Sequence, residues 1–433
     1  MESKERSVEN VACTVCGCVC DDLTVTVRDD QIIAAENACS LAEPWFVKPW
    51  TTVAPAPRIR GVAATEAAAI EEAAKILRHA KAPLIFGLSK SSTEGQRAAV
   101  ALADRLGATI DTTASEGHAP SILALQQCGE STCSLGEIRN RADLVIYWGA
   151  DPVETHPRHM ERYSINPTGL HIEHGKADRT LVVIDTEASK TSEQSDWFLK
   201  IDGDRDFEVL WTLRGLLQGQ EPEPGYDVGA PLDELKRLVE RMKSCRCGII
   251  FFGLGVAQHP LGHRKVEALL RMVIDLNQHT RFYARRMRMV GDVSGADSVL
   301  CWQTGYPFSV NLARRYPRYN PGEYSAGEIL ENHEADALVL VGTSRVSSFS
   351  PAAHDFMKTI PVIVLERPGV ELPGTVLPAV PTIEFPSATY GIHRPGTAYR
   401  MDEIPIRLRP ILDSNLPSDG EILRAIHAAI DSR

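Results

Sequence analysis

The chain has 433 residues, more than one ordinary core encloses and enough for two or three domains. Hydrophobic residues make up 43 %, charged residues 24 %, and the formal net charge is −11, which excludes a disordered chain and argues against a nucleic-acid or anionic-membrane binder. An aromatic content of 6 % speaks equally against base stacking.

No apolar run reaches the ~20 residues that cross a bilayer. The opening "MESKERSVEN" lacks an apolar h-region, so no signal peptide is expected. The expected location is the cytoplasm, where cysteines stay reduced and bind metal more often than they form disulfides.

Residues 13–22 read "CTVCGCVCDD" and hold four of the ten cysteines. Beyond them, "LTVTVRDDQIIAAEN" alternates apolar and polar residues on both sides of "RDD", which predicts a β-hairpin turning near Arg28 to Asp30. The hairpin folds the chain back and returns Cys39 beside Cys20. Cys13-x2-Cys16-x3-Cys20 with Cys39 is therefore a four-thiolate arrangement whose short loop wraps an iron–sulfur cube. Structural zinc suits tetrahedral thiolates equally well, and a remnant site that binds nothing is the third reading. Cys18 is an extra thiol, expected to point into the small N-terminal domain.

From residue 64 onward helices and short β-rich runs alternate. "ATEAAAIEEAAKILRHA" and "STEGQRAAVALADRLG" read as helices. "PLIFGLS", "DLVIYWG", "TLVVIDT", "GIIFFGLG", "ALVLVGT" and "IPVIVLE" read as strands. Such alternation implies parallel sheets covered by helices, with ligands at the carboxyl edges of the strands. "LLQGQEPEPGYDVGAP", 216–231, reads as a surface connection between two α/β units. The expected organisation is an N-terminal Cys-rich β domain over 1–60, α/β units over 61–217 and 231–370, and a Pro-rich irregular segment from 371 closing in the helix "GEILRAIHAAIDS".

Other motifs carry less. In "GADPVETHPRH", His156, Arg158 and His159 read either as a phosphate- or pterin-facing loop or as a His/Pro loop that packs between domains; His-x2-His without a third ligand is a weak metal signal. "HIEH" at 171–174 reads as a surface hairpin rather than a metallohydrolase pair, because no further His or Asp pattern supports the latter; Cys245 and Cys247 read as packing, and Cys128 and Cys133 have no assigned role. "QTGYPFSVNLARRYPRYNPGE", 303–323, is either a cover for a large planar ligand or an ordered subunit contact, the second being favoured.

Taken together, "CTVCGCVCDDL", "ACSLAEPWF", "TASEGHAPSILALQQCG", "TCSLGEIRNRADLVIYWGADPVETHPRHMERY", "QTGYPFSV", "YPRYNPGEYSA" and "GIHRPGTAYRMDEIPI" resemble the B subunit of formylmethanofuran dehydrogenase, of the molybdopterin oxidoreductase superfamily. The resemblance implies a [4Fe–4S] domain held by Cys13, Cys16, Cys20 and Cys39. It also implies Rossmann-like parallel-sheet domains of molybdopterin oxidoreductase type, clasping a tungsten or molybdenum pterin. In that family a cysteine or selenocysteine just before a His, in a segment like "TASVCHGP", holds the metal. Here the segment is Thr113 to Pro120, "TASEGHAP", and the ligand position is Gly117, followed by His118. Glycine has no donor, and the neighbouring Glu116 is a hard oxygen one residue away, where a soft thiolate is called for. The strand ending in Asp185 continues "TEA" where an Arg is expected, and "ALVLVGT" runs into "SRVSSFSP" without an expected Asp/His pair.

The resemblance to the B subunit of the bacterial formyltransferase/hydrolase complex accommodates that glycine. It implies a non-redox structural subunit in tetrahydromethanopterin-linked oxidation of formaldehyde to formate, with the other subunits of the complex as partners and a methanofuran-like formyl carrier reached through them. No catalytic residue is then assigned to this chain, the cysteines hold a possible [4Fe–4S] cluster, and the tungsten or molybdenum pterin is absent. The alternatives are a working tungsten- or molybdenum-dependent dehydrogenase subunit and an iron–sulfur electron-transfer protein.

Overall fold

Two aspartates set the first turn. Asp29 (φ 48°) and Asp30 (φ 58°) both take the left-handed conformation that a two-residue hairpin turn needs, and they join strands Leu23–Arg28 and Gln31–Glu36 in antiparallel register. Val25, Val27 and Ile32 bury the inner face of this pair. A further strand, Glu5–Val11, pairs antiparallel with the other side of Leu23–Arg28 and completes a three-stranded sheet. The structure is a computed structural model that describes residues 5–258, 261–289, 291–370, 377 and 380–432. Most of the opening of the Pro-rich segment expected from 371 thus lies outside the described residues.

The chain divides into two compact units, one formed by residues 1–116 with 290–433 and the other by 117–289. This departs from the sequential division expected above. The stretch 216–231 does not connect two units; it joins helix Asp206–Leu217 to helix Leu232–Ser244, both of which pack on one core.

In the first unit, parallel strands Pro83–Gly87, Thr109–Thr112, Ala337–Val341, Val362–Glu366 and Ile383–Pro386 are ordered 2-1-3-4-5 by their place in the chain. That is a doubly wound arrangement whose order reverses between Pro83–Gly87 and Ala337–Val341. Both of those strands are buried throughout, as their unbroken apolar sequences require in a sheet covered on both faces. Helices Glu66–His79, Thr93–Leu106 and Asp419–Asp431 cover one face through Ala73, Leu77, Leu102, Ile422 and Ile426. Helices Ala326–Glu331 and Pro351–Met357 cover the other through Ile329, Leu330, Ala353 and Met357. Each fully buried Leu or Ile among them contributes about 1.5–3 kcal/mol. The last helix starts at Ser418, whose hydroxyl accepts from the Glu421 backbone while Glu421 reaches back, a reciprocal cap. Short antiparallel strands extend the sheet at both edges, Val310–Asn311 with Arg318–Tyr319 at one and Arg58–Ile59 with Val62–Ala63 at the other.

The second unit holds parallel strands Leu144–Trp148, Thr180–Asp185, Trp197–Lys200, Cys247–Phe252 and Arg281–Arg286 in the order 3-2-1-4-5. Its core includes Trp148, Leu210, Leu213, Leu238 and Leu269. The chain is thus mixed α/β with parallel sheets. Among the described residues no helix is long and apolar enough to cross a membrane.

Candidate functional site

The cysteine loop closes on itself. The Cys13 N–H donates to the Cys20 carbonyl at 2.7 Å and the Val19 N–H donates to the Cys16 carbonyl at 3.2 Å, so the loop is a tight backbone ring. After the hairpin, the Ala42 and Glu43 N–H groups both donate to the Cys39 carbonyl at 2.9 Å, which fixes the fourth thiol. Cys13 lies within electrostatic reach of Cys16, Cys20 and Cys39 together. Burial, and then the neighbouring thiols, push its thiol well above the ordinary range. The Cys18 thiol, buried, bonds Cys16 and Cys20, which raises Cys18 and lowers Cys16.

The buried Cys13 thiol beside its neighbours is in a setting where a bound cation would favour the thiolate form. Among the described residues no group of three or more His, Cys, Asp or Glu is arranged to hold a single metal ion. Four soft sulfur donors suit an iron–sulfur cube, which places each thiolate on a different iron, and a single zinc ion alike.

The second predicted centre is built differently. Strand Thr109–Thr112 runs into a turn over 113–118, and helix Ala119–Cys128 follows with Pro120 in its first turn. Gly117 and His118 are buried. The division between the two units falls between Glu116 and Gly117. The residues at this turn do not fit a tungsten or molybdenum ion bound through a soft donor, because Gly117 offers none. Within the first unit, the Glu116 carboxylate lies 3.5 Å from the Ser348 hydroxyl. Burial first, then the charges of Asp111 and Glu328, raise it to about 7. It is therefore partly protonated near neutrality, the state in which a carboxyl group is a poor metal ligand.

What holds this turn is Asp111, a residue that no local motif singles out. Its fully buried carboxylate accepts from the backbone N–H of Thr112 (2.9 Å), Ser309 (2.8 Å) and Ala326 (2.7 Å) and from the Ser115 hydroxyl (2.7 Å). Burial raises it to about 6 despite those donors. The one signal in the sequence is an acid inside the apolar strand "ATIDTT".

A cavity of about 220 Å³ opens in the first unit where the strand order reverses. It is lined by Thr14 and Val15 of the cysteine loop, by Lys90 beyond strand Pro83–Gly87, and by Glu366 and Arg367 ending strand Val362–Glu366. Asp292, Tyr390 and Asp419 also line it. Burial raises Asp292 to about 7 and raises Asp419, which accepts a 2.6 Å bond from the Tyr390 hydroxyl. Lys48, lying 4.2 Å over the Trp50 ring, is lowered to about 8 by burial and by the charges of Arg367 and Lys90. Each of these cations directly or nearly follows a predicted apolar strand or a Trp, but nothing local in the sequence brings them together.

The remaining candidates are structural. The His156 ring bonds the Arg288 carbonyl at 2.8 Å, and burial lowers it to about 4. His159 sits beside the Tyr147 hydroxyl at 2.9 Å and edge-on to Phe251, while Arg158 pairs with Glu161 at 2.9 Å. These contacts lie inside the second unit, whereas the second expected reading has the loop packing between domains. His174 is on the surface against Asp178. Cys245 and Cys247 are buried thiols raised to about 12 and about 11, inert packing groups. Cys133 lends its carbonyl to Arg285, and Cys128 bonds the Ala124 carbonyl of its own helix. Asp185 caps its own strand end through the Thr186 N–H.

No protein-family model matches the chain. The B subunit of the tungsten-containing formylmethanofuran dehydrogenase 2 of Methanocaldococcus jannaschii is 38 % identical over 430 residues, 97 % of this chain and 98 % of that protein. The protein of the same name from Methanococcus maripaludis is 34 % identical over 432 residues, 98 % of each. The B subunit of the formyltransferase/hydrolase complex Fhc of Methylorubrum extorquens is 22 % identical over 340 residues, 77 % of this chain and 86 % of that one. Among solved structures, a chain of the Methylorubrum extorquens FhcABCD complex with methylofuran superposes at a TM-score of 0.72, with 20 % identity over 87 % of this chain and 99 % of that one. Acetylene hydratase from Pelobacter acetylenicus superposes at 0.65, with 11 % identity over 98 % of this chain and 69 % of that one. At those identities the structural likeness is one of fold.

Proposed function

The chain belongs to the family of formylmethanofuran dehydrogenase B subunits, and from that premise we propose that it is a non-redox structural subunit of a formyltransferase/hydrolase complex. In this reading it works with other subunits that oxidise one-carbon units from formaldehyde to formate, and a methanofuran-like formyl carrier is engaged through those partners. The observation that carries the reading is Gly117. A subunit that reduced or oxidised its substrate at tungsten or molybdenum would need a soft donor there, and neither glycine nor a partly protonated Glu116 supplies one.

The cysteine loop is assigned a [4Fe–4S] cluster on Cys13, Cys16, Cys20 and Cys39. When bound, such a cluster supplies one-electron transfer and a rigid cross-link. The chain's own contribution is the ring of backbone bonds that presents the thiols and the burial that keeps Cys13 and Cys20 from water. Cys18 donates its S–H toward Cys16 and steadies the thiolate form of that ligand.

The second reading, a working dehydrogenase subunit, is favoured by one observation: the two tungsten-containing relatives are 38 % and 34 % identical and the Fhc subunit 22 %. One assay separates the two readings. The complete complex, given a formylated furan carrier and a viologen dye under anaerobic conditions, should release formate with no dye reduction. Dye reduction in step with loss of the formyl group would overturn the proposal.

A further inference from the structure

The tyrosine- and arginine-rich segment 303–323 supplies no candidate ligand to either centre, yet it is firmly anchored. It enters the sheet edge just after Ser309 and ends where a helix begins at Ala326, and the backbone N–H groups of both residues end on the carboxylate of buried Asp111, at 2.8 and 2.7 Å. The Ser309 and Ser325 hydroxyls bond each other at 2.9 Å and close the base. Between these points strands Val310–Asn311 and Arg318–Tyr319 form a short hairpin at the sheet edge. Asn311 locks it by donating to Thr109 at 2.8 Å and accepting from Arg318 at 2.6 Å. Tyr319 stacks on Tyr306 with centroids 5.0 Å apart and planes 9° apart.

The tip carries Arg314, Arg315 and Tyr316, all exposed. Arg315 takes φ 63°, costly for a side chain with a Cβ, and its N–H is held by the Leu312 carbonyl at 2.8 Å. Neither Arg314 nor Arg315 is paired with a carboxylate among the described residues. Two free guanidinium groups and a half-exposed tyrosine on a rigid support are therefore held out into water by a protein whose net charge is −11.

From this geometry we infer that the hairpin tip is a docking surface for a partner subunit. The segment it receives carries Asp or Glu side chains for Arg314 and Arg315 and an apolar side chain for Tyr316. Arginine and tyrosine on a preorganised support are the side chains that dominate binding energy at protein interfaces. Strand addition is not the mode, because the edge strand has two residues and Pro317 precedes it. A second copy of this chain is disfavoured by its own negative charge. The inference rests on the chain being a subunit of a complex, which holds whether or not the complex is a dehydrogenase.

The test uses the whole complex, co-expressed with its partner subunits. R314E/R315E should lower the partner recovered with this chain at least tenfold in 150 mM salt, while R314K/R315K retains most of it. In otherwise native complex, Tyr316 replaced by benzoylphenylalanine should photo-cross-link to an acidic segment of a partner subunit. Unchanged recovery in the Glu variant, a cross-link to a second copy of this chain, or no cross-link would each overturn the proposal. Neither variant touches a metal ligand, so a wrong assignment of the reaction would show in metal content and leave this result unaffected.

Discussion

The cysteine loop and the turn at 113–118 are the two places where a redox subunit of this family would carry metal, and they differ in kind. The loop keeps a full set of donors, Cys13 and Cys20 buried and Cys16 and Cys39 partly exposed, on a ring of backbone bonds. The turn keeps its shape and has no donor at the position that matters. Its shape comes from Asp111, a carboxylate that touches only the protein's own backbone and hydroxyls. On the proposed reading the site has lost its chemistry without losing its fold, because the residues that shape it are not those that would react.

The contrast can be broken most sharply at the loop. Cys20→Ser should remove nearly all iron from anaerobically reconstituted protein, from about four irons per chain to below one. Iron retained at the native level would show that the four thiols are not the ligand set.

At the turn the largest expected effect is on stability. Asp111→Ala strands three buried N–H donors, each costing about 1–3 kcal/mol. Urea unfolding should therefore report a loss of about 3–5 kcal/mol for the first unit, allowing for relaxation. A loss below about 1 kcal/mol would mean that the turn and the hairpin base are held by something else.

A third test lies in pH and serves as a control away from both centres. The His156 ring titrates at about 4 in the folded protein, below its ordinary 6.5, because burial disfavours the cation. A depressed histidine contributes stability that is present above pH 6.5 and is lost as pH falls toward 4. Between pH 7 and pH 5 this amounts to about 2 kcal/mol. Asp111 and Asp292 act with the opposite sign, because their raised values favour the folded protein at lower pH. The readout is thus a difference: His156→Gln should flatten the acid side of the unfolding free energy by about 2 kcal/mol relative to the native chain. An identical pH slope in both would contradict the assignment.

The smallest effect discriminates most. Burial of Glu116 makes its ionised form unfavourable, so Glu116→Gln should stabilise the protein by about 1 kcal/mol at pH 8, after allowance for its partial exposure, and by less at pH 6. Metal content should not change. A loss of tungsten or molybdenum in this variant would make Glu116 the replacement ligand.

Much of this is legible in the chain. The Asp-Asp turn, the apolar strands and their helices follow from local pattern. Three features are not. The pairing of strand Ala337–Val341 with Pro83–Gly87 spans some 250 residues, and no periodicity records that residues 117–289 form a unit of their own between them. The stretch 216–231 has the composition of a domain link, but composition reports exposure and not what lies at either end. Asp111 is hidden because its partners, Ser309 and Ala326, stand about 200 residues away. The cavity cations Lys90 and Arg367 meet only because their two strands end on the same edge of one sheet.

The most direct test of the central claim is elemental analysis of the anaerobically purified complex, read for tungsten, molybdenum and iron per copy of this chain. A non-redox subunit with an intact cysteine loop should show neither tungsten nor molybdenum, and about four irons per chain. Tungsten or molybdenum approaching one per chain would contradict it and make this a redox subunit whose metal is held without a thiolate at Gly117.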